Sequence, residues 1–521
     1  MIEPMIPLAG FGREIGQYDP VEVVLKCAAT SRYMDKNNET LHHEPFTATV
    51  AGVPQTRNAL VTHHGLAAVV RLAIRNHPWA RGKPVSAKDI MAQANNWNNV
   101  EDPFLGSGIM TLVRVAYEQF PYQEQLDDLI PRYLTILTET RPANPPLDIQ
   151  GAFKIKTGLT IEEFMKIGIA FYAGGLHYAS FTRCFLEGTK AEKLKPCLTP
   201  EKIDAFLKAA AADFPTFRRH CLQEEREAPG AGKWVFNSLV SRPVVIFPDG
   251  RFCVPILRLL IHRITKGIYY DLLDAYYAPK HNPFTDWFGH AFEEYGGIIL
   301  RKALDQSMVY SEPAYGSSER RGPDWTVLGK KVGLAMEFRS SRLPKVVRST
   351  TERDEVMNRV HQGLAQTAAR LPAKIQAILD GSAGLPASGV SEIVPAIVTL
   401  ESWHPEALTA DLIRRELQKY GIDAGRFQLM SIGDLEWLLT WAQHEPPAVV
   451  LRDKLSDPAL DDLSVSQYLR KRADDKGLSF PLRILKDKSD AFFGEITGPD
   501  DNSSDTSLQT LPTNSKVDPT Y

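Results

Sequence analysis

Arg320-Arg321-Gly322-Pro323-Asp324-Trp325-Thr326-Val327-Leu328, then Gly329-Lys330-Lys331, then Val332-Gly333-Leu334-Ala335-Met336-Glu337-Phe338-Arg339 reads as two β-strands joined by a tight Gly-Lys turn. Side chains alternate along a strand. Val332, Leu334, Met336 and Phe338 therefore share one apolar face, and Gly333, Ala335, Glu337 and Arg339 share the other. Asp324 opens the first strand and Glu337 lies near the end of the second. A hairpin returns on itself, so the two carboxylates become neighbours. Neighbouring carboxylates repel, and a divalent cation relieves the repulsion. Magnesium takes oxygen ligands and commonly uses one or two carboxylates together with water and substrate phosphate.

The flanking sequence places this hairpin in a larger unit. Asn282-Pro283 predicts a helix start, with asparagine as the cap and proline at the first helical position. Phe284, Phe288, Phe292, Tyr295 and Ile299 follow as a stripe at spacings of three and four. After the hairpin come a predicted long helix from about Glu355 to Leu379 and a strand at Val394–Leu400. A helix at Ala410–Tyr420 and a strand at Phe427–Ser431 complete the series. Strands interleaved with helices predict a mixed α/β sheet flanked by helices over residues 281–446.

Pro323-Asp324 followed by Glu337-Phe338-Arg339 resembles the PD-(D/E)xK nuclease superfamily, whose signature is Pro-Asp on one strand and Glu-x-Lys on the next. The resemblance covers about a third of the chain. It implies a restriction-endonuclease-like α-β-β-β-α-β core and Mg2+ or Mn2+ held by Asp324 and Glu337. The implied activity is cleavage of phosphodiester bonds in nucleic acid, with DNA as the expected partner. The family's acid on the preceding helix matches Glu293, within Phe288-Gly289-His290-Ala291-Phe292-Glu293-Glu294-Tyr295. Its glutamine on the following helix matches Gln362 or Gln366. Arg339 stands where lysine is usual. A guanidinium keeps the positive charge but cannot act as a proton carrier. Chains that resemble this one, with a large helical region before such a core, often belong to defence against phage.

Charge adds to the nucleic-acid reading. Between Ser318 and Arg348 the basic residues are Arg320, Arg321, Lys330, Lys331, Arg339, Arg342, Lys345 and Arg348, against three acids, in a chain of net charge -3. Phosphate contacts supply most non-specific nucleic-acid affinity, so the run predicts a backbone-binding surface. The chain as a whole is no polycation, and any such contact has to be local.

The 521 residues, 43% hydrophobic, suit several cores. Residues 1–240 read as mainly helical, with helices at Leu60–Asn76, Ile109–Phe120, Leu126–Thr138, Ile161–Tyr172 and Pro200–Ala212, a region fit for a protein partner. Residues 241–280 read as a β-hairpin, Val244–Phe247 and Arg251–Val254, followed by one helix to Ala278. A C-terminal extension spans 447–496. The last residues, 497–521, are too poor in apolar side chains to offset ordering entropy and read as disordered. The five cysteines are far apart and form no CxxC pair, which predicts reduced, mostly buried thiols in a cytoplasmic protein. No signal peptide and no membrane span is evident. Gly10–Gly16 has the wrong spacing for a dinucleotide loop. His42-His43 and His63-His64 are adjacent pairs rather than ligands on one helix face, and Ser317-Ser318 lacks a nucleophile-elbow context.

Blander readings compete with each of these. Asp324 can be a turn residue, Glu337 and Arg339 a solvated strand face, Glu293 a surface acid. Gln362 and Gln366 can be helix surface, and the basic run can be paired with Glu352, Asp354 and Glu355. Three functions are compatible with the sequence: a metal-dependent nuclease, a nuclease-like scaffold that has lost cleavage, or an unrelated assembly module.

Overall fold

The computed structural model describes the chain except for residues 1–4, 38–40, 43–45, 51–52, 58–59, 78–81, 103–125, 145, 189–193, 316–319, 341–363, 365, 402–417, 420, 422–426, 461–462 and 498–521. Its centre is a five-stranded mixed sheet. In chain order the strands are β1 (Val309–Ser311), β2 (Trp325–Leu328), β3 (Val332–Arg339), β4 (Glu392–Thr399) and β5 (Gln428–Ser431), and they lie side by side in that order. The first three form an antiparallel meander, while β3, β4 and β5 are mutually parallel.

The change from antiparallel to parallel is a consequence of the connections. Gly329–Lys331 is short enough for a hairpin. A parallel neighbour needs a crossover of a dozen or more residues. Between β3 and β4 that crossover includes a helix, Gln366–Leu379.

Helices packed in the same region include α1 (Pro283–Ala303), α2 (Gln366–Leu379), α3 (Ile432–Trp441), α4 (Pro447–Leu455) and α5 (Val465–Lys476). Asn282 caps α1 through its side chain, which accepts the Phe284 N–H, and all five residues of the α1 stripe are buried. They pack with Leu334, Met336 and Phe338 of β3 and Val394, Ala396 and Val398 of β4, in a core that also holds Leu435 and Leu438 of α3, Val450 and Leu451 of α4 and Leu469 of α5. The opposite face is covered too. Ala335, Leu328 and Ile393 pack with Ala377 and Ile378 of α2. A central strand covered on both faces reads as a nearly continuous apolar run, as Val332–Met336 does.

Two glycines let α1 approach the sheet. A Cβ on Gly297 would stand 2.1 Å from the Trp325 ring, and one on Gly296 would stand 2.4 Å from the Phe338 ring. Glycine inside a helix costs about 1 kcal/mol relative to alanine. Here it admits two large rings, and Trp325 Nε1–H also donates to the Glu293 carbonyl at 2.8 Å.

Ahead of the sheet lies a helical region with short strands. The expected helix at Leu60–Asn76 is shorter than the apolar pattern suggests. Leu60–Val61 is a strand, Thr62 accepts the Gly65 N–H as N-cap, and the helix runs His63–Asn76. The Pro200 helix stops at Ala210 because Ala211–Asp213 joins Val244–Ile246 as a parallel strand. The hairpin of residues 244–246 and 252–253 is present. The helix expected up to Ala278 is instead two, Leu257–Ile264 and Lys266–Ala275. They break at Thr265, whose backbone leaves the helical region. The expected helix at Ile109–Phe120, almost all of the one at Ala410–Tyr420 and the tail from 498 fall outside the described residues. Cys27, Cys197, Cys221 and Cys253 are buried free thiols and Cys184 is exposed. No helix of the described residues is long and apolar enough to cross a membrane.

The helical region meets the sheet region at a buried charge pair. Arg132, on the helix Leu126–Leu134, donates from Nε and Nη2 to the two Glu436 oxygens of α3, both at 2.7 Å. Tyr295 of α1 donates its hydroxyl to Glu436 Oε1 at 2.6 Å. Removing one member leaves a buried charge without a partner, which costs about 3–5 kcal/mol. We predict a loss of that size in urea unfolding of Arg132→Ala. Arg132→Met combined with Glu436→Leu and Tyr295→Phe should regain most of it, because then neither charge is stranded and no buried hydroxyl loses its acceptor.

Candidate active site

The β2–β3 register pairs Trp325 with Met336, Thr326 with Ala335, Val327 with Leu334 and Leu328 with Gly333. One step further along the same ladder puts Asp324 opposite Glu337. The Asp324 carboxylate (Oδ2) accepts the Phe338 N–H at 2.7 Å, which ties the aspartate to the end of β3. Glu337 leaves β3 on the face covered by α2 and is only 2% exposed. The solvated-face reading of Glu337 is therefore overturned. Small residues at 333 and 335 let α2 lie close, and the carboxylate is roofed by that helix.

Two cations hold Glu337. Arg339 Nη2 donates to Oε2 at 2.9 Å, and Lys374 of α2 donates to Oε1. Arg339 also reaches Asp324 Oδ2 at 3.7 Å, so one guanidinium spans both acids. It is fixed by two further bonds at 2.9 Å, from Nε to Thr367 Oγ1 and from Nη1 to the Phe338 carbonyl. A cleft of about 330 Å³ opens over the group, lined by Glu312, Arg321, Asp324, Glu337, Arg339, Thr367, Arg370 and Lys374.

The acids are crowded. Burial raises Asp324 most, repulsion from Glu337 and then Glu293 adds to it, and the Phe338 N–H and Arg339 oppose it. The net result pushes its carboxyl up to about 7. Burial likewise raises Glu293, offset in part by His290, 3.3 Å away, and by Arg339. Asp324 Oδ1 carries no hydrogen bond among the described residues, so an oxygen donor remains open beside a fully bonded Glu337. Carboxylate oxygens are the donor type that Mg2+ or Mn2+ takes, in a cleft whose lining also carries four cationic side chains against three acids. Among the described residues no group of three or more His, Cys, Asp or Glu side chains converges to hold a metal. Among the described residues the carboxylates that could hold such an ion are therefore Asp324, through its open Oδ1, and Glu337, which would first give up a bond to Arg339 or Lys374.

The remaining expected residues divide sharply. Glu293 is close enough to Asp324 to raise its pKa. Arg321 lines the cleft and pairs with Glu312 at 3.2 Å. Arg320 sits beside it on the short hairpin of residues 314–315 and 320–321. Lys330 and Lys331 do not belong. They occupy the turn at the far end of the hairpin, six residues from Glu337 along β3, or about 20 Å at strand rise. A basic run in sequence becomes two separate surfaces because the strand between carries one group away from the other. Gln366 is the exposed first residue of α2 and does not line the cleft. Arg342, Lys345, Arg348 and Gln362 fall outside the described residues.

The sequence reading missed Thr367, Arg370 and Lys374. Their signal was present as spacing: i, i+3 and i+7 put all three on one face of a predicted helix. Nothing in the sequence alone tells which strand that face would meet.

No family model, no curated protein and no solved structure matches the chain.

A carboxyl whose folded pKa lies near 7 instead of about 4 destabilises the fold as it ionises. Its favourable contribution is complete below the unfolded pKa and disappears as pH rises through about 7. We predict that Asp324→Asn, whose side-chain carbonyl can still accept the Phe338 N–H, raises the urea midpoint at pH 8 in EDTA. The gain should vanish near pH 4. Equal shifts at both pH values would contradict the crowding.

Proposed function

We propose that the sheet region is a divergent PD-(D/E)xK core with a restriction-endonuclease-like arrangement, and that the protein is a metal-dependent nuclease acting on DNA. The observation that carries this reading is the convergence of Asp324, Glu337, Arg339 and Lys374 in one cleft. The strand order, an antiparallel meander followed by a helix and a parallel strand, supports it. Lys374 is the feature that answers the missing strand lysine. It brings an ammonium to the same glutamate from α2, and an ammonium can exchange protons where a guanidinium cannot.

Asp324 and Glu337 would hold the cation. A bound divalent ion supplies Lewis acidity toward a phosphoryl oxygen and lowers the pKa of water. The chain's own residues do the rest. Hydrolysis forms one P–O bond from water and breaks the bridging P–O bond, and charge builds on the non-bridging oxygens meanwhile. Arg339 and Lys374 lie beside the two carboxylates, where they offset that charge. Arginine's planar fork matches phosphate oxygens, and fixed donors cost no reorganisation as the reaction proceeds. The bonds of Arg339 to Thr367 and Phe338 pre-set its direction. The wider role we infer from this activity is defence against foreign DNA, with the helical region as the surface for a protein partner.

A second reading has its own support. Both Glu337 oxygens are already bonded to resident cations, and Arg339 also spans toward Asp324. In a scaffold that has lost cleavage, these side chains would replace the metal permanently.

Cleavage of plasmid DNA with Mg2+ or Mn2+ separates the two. In the nuclease reading Asp324→Asn and Glu337→Gln fall to background. Lys374→Ala lowers turnover about 10²–10³-fold, as loss of one fixed charge-stabilising donor does. Arg339→Lys retains much of the activity. Calorimetry adds an independent reading: the wild type binds Mn2+, and Arg339→Ala binds it no less tightly. Metal binding that appears only after Arg339 is removed would establish the scaffold.

A further inference from the structure

The inner cations of the cleft are engaged in its floor, whereas of the outer two Arg321 is held by an exposed pair with Glu312 and Arg370 has no ion pair among the described residues. Lys374 and Arg339 are occupied by Glu337 and Asp324. Arg370 lies between Thr367 and Lys374 on the same face of α2, lines the same cleft and is exposed. Thr367, by contrast, is 6% exposed and bonded to Arg339. The face of α2 is therefore graded, with a bonded floor at 367 and 374 and, at the rim, a guanidinium with no ion pair among the described residues. From the strand side Arg321 reaches the same rim. It is restrained there by the ion pair with Glu312, and exposed pairs of that kind hold only weakly. The Arg321 side chain is 72% exposed, so a phosphate can take it from Glu312 at little cost.

We propose that Arg370 and Arg321 form a phosphate clamp at the mouth of the cleft, gripping a backbone phosphate next to the one that enters it. The proposal rests on the reading of the cleft as a nucleic-acid site. Arg370 and Lys374 are four residues apart on α2, about 6 Å along the axis. That is comparable with the separation of neighbouring phosphates along a strand. One phosphate at the Lys374 and Arg339 end thus places the next within reach of Arg370. The guanidinium fork supplies two parallel N–H donors to one phosphate, which an ammonium does not. The clamp reads no base edge, so it positions the strand without choosing sequence. Arg370 is accordingly a positioning residue.

The test is fluorescence anisotropy of the full chain with a labelled oligonucleotide, single-stranded and duplex, in EDTA across a salt series. Each lost phosphate contact makes the slope of log affinity against log salt shallower by about 0.7 on single strands and about 0.9 on duplex. Arg370→Ala should show that change, Arg370→Lys should keep the wild-type slope with weaker affinity, and Arg321→Ala should repeat the loss. An unchanged slope in Arg370→Ala, or no binding of either form by the wild type at low salt, overturns the clamp. Cleavage by the wild type with Mg2+ is scored separately. A slope change without any cleavage leaves the clamp standing and sinks the nuclease reading. Cleavage with an unmoved slope does the reverse.

Discussion

The pairing of Trp325 with Met336 is the constraint on which the site depends. A strand has a period of two, so a slip of one residue would turn every β3 side chain to the other face. Glu337 would then point into the packed face of Phe292 and Tyr295, and Met336 and Phe338 toward the cleft. Burial of apolar side chains on one face and the fit of Trp325 over Gly297 hold the register where it is. The position of Asp324 opposite Glu337 follows without further instruction, and the hydrogen bond from the Phe338 N–H completes it.

Within that geometry the chemistry is a matter of uneven compensation. Glu337 is the deepest acid and has two cations. Asp324 lies shallower and has a backbone N–H and one distant guanidinium. Glu293 stands behind it with a neighbouring histidine and the more distant Arg339 guanidinium. Low dielectric magnifies both the attraction at Glu337 and the repulsion at Asp324. Perturbed acids in a cleft are common at sites that bind or react with charge, because packing alone gives no reason to keep them together.

The helix α1 connects this site to the rest of the chain through consecutive residues. Phe292 packs on Phe338, with ring centroids 5.4 Å apart. Glu293 faces the acids. Glu294 accepts the Arg141 N–H at 2.8 Å, and Tyr295 bonds the Arg132–Glu436 pair. Side chains on a helix turn through about 100° per residue, so four successive residues reach four different neighbours. Any shift of the helical region against α1 would therefore be felt at Glu293.

Local pattern was enough to specify several parts of this protein. Alternation fixed the faces of β3, Asn282-Pro283 fixed the start of α1, and the aromatic stripe fixed its buried side. Asp324 and Glu337 were legible as neighbours because a short turn leaves a hairpin little freedom. Other features needed the fold. The basic run divided into Arg321 at the cleft and Lys330 and Lys331 at the far turn, because residues close in sequence separate by about 3.3 Å per residue along a strand. The break at Thr265 and the early stop at Ala210 arose from packing that helix periodicity does not encode. Lys374 reached Glu337 across 37 positions, through a crossover helix whose docking no local spacing describes. Sequence alone thus set which side chains share a strand or helix face, since backbone geometry dictates that within a few residues. Tertiary packing alone decided which face meets which, and so brought a lysine onto a buried glutamate that already shared its strand face with an arginine.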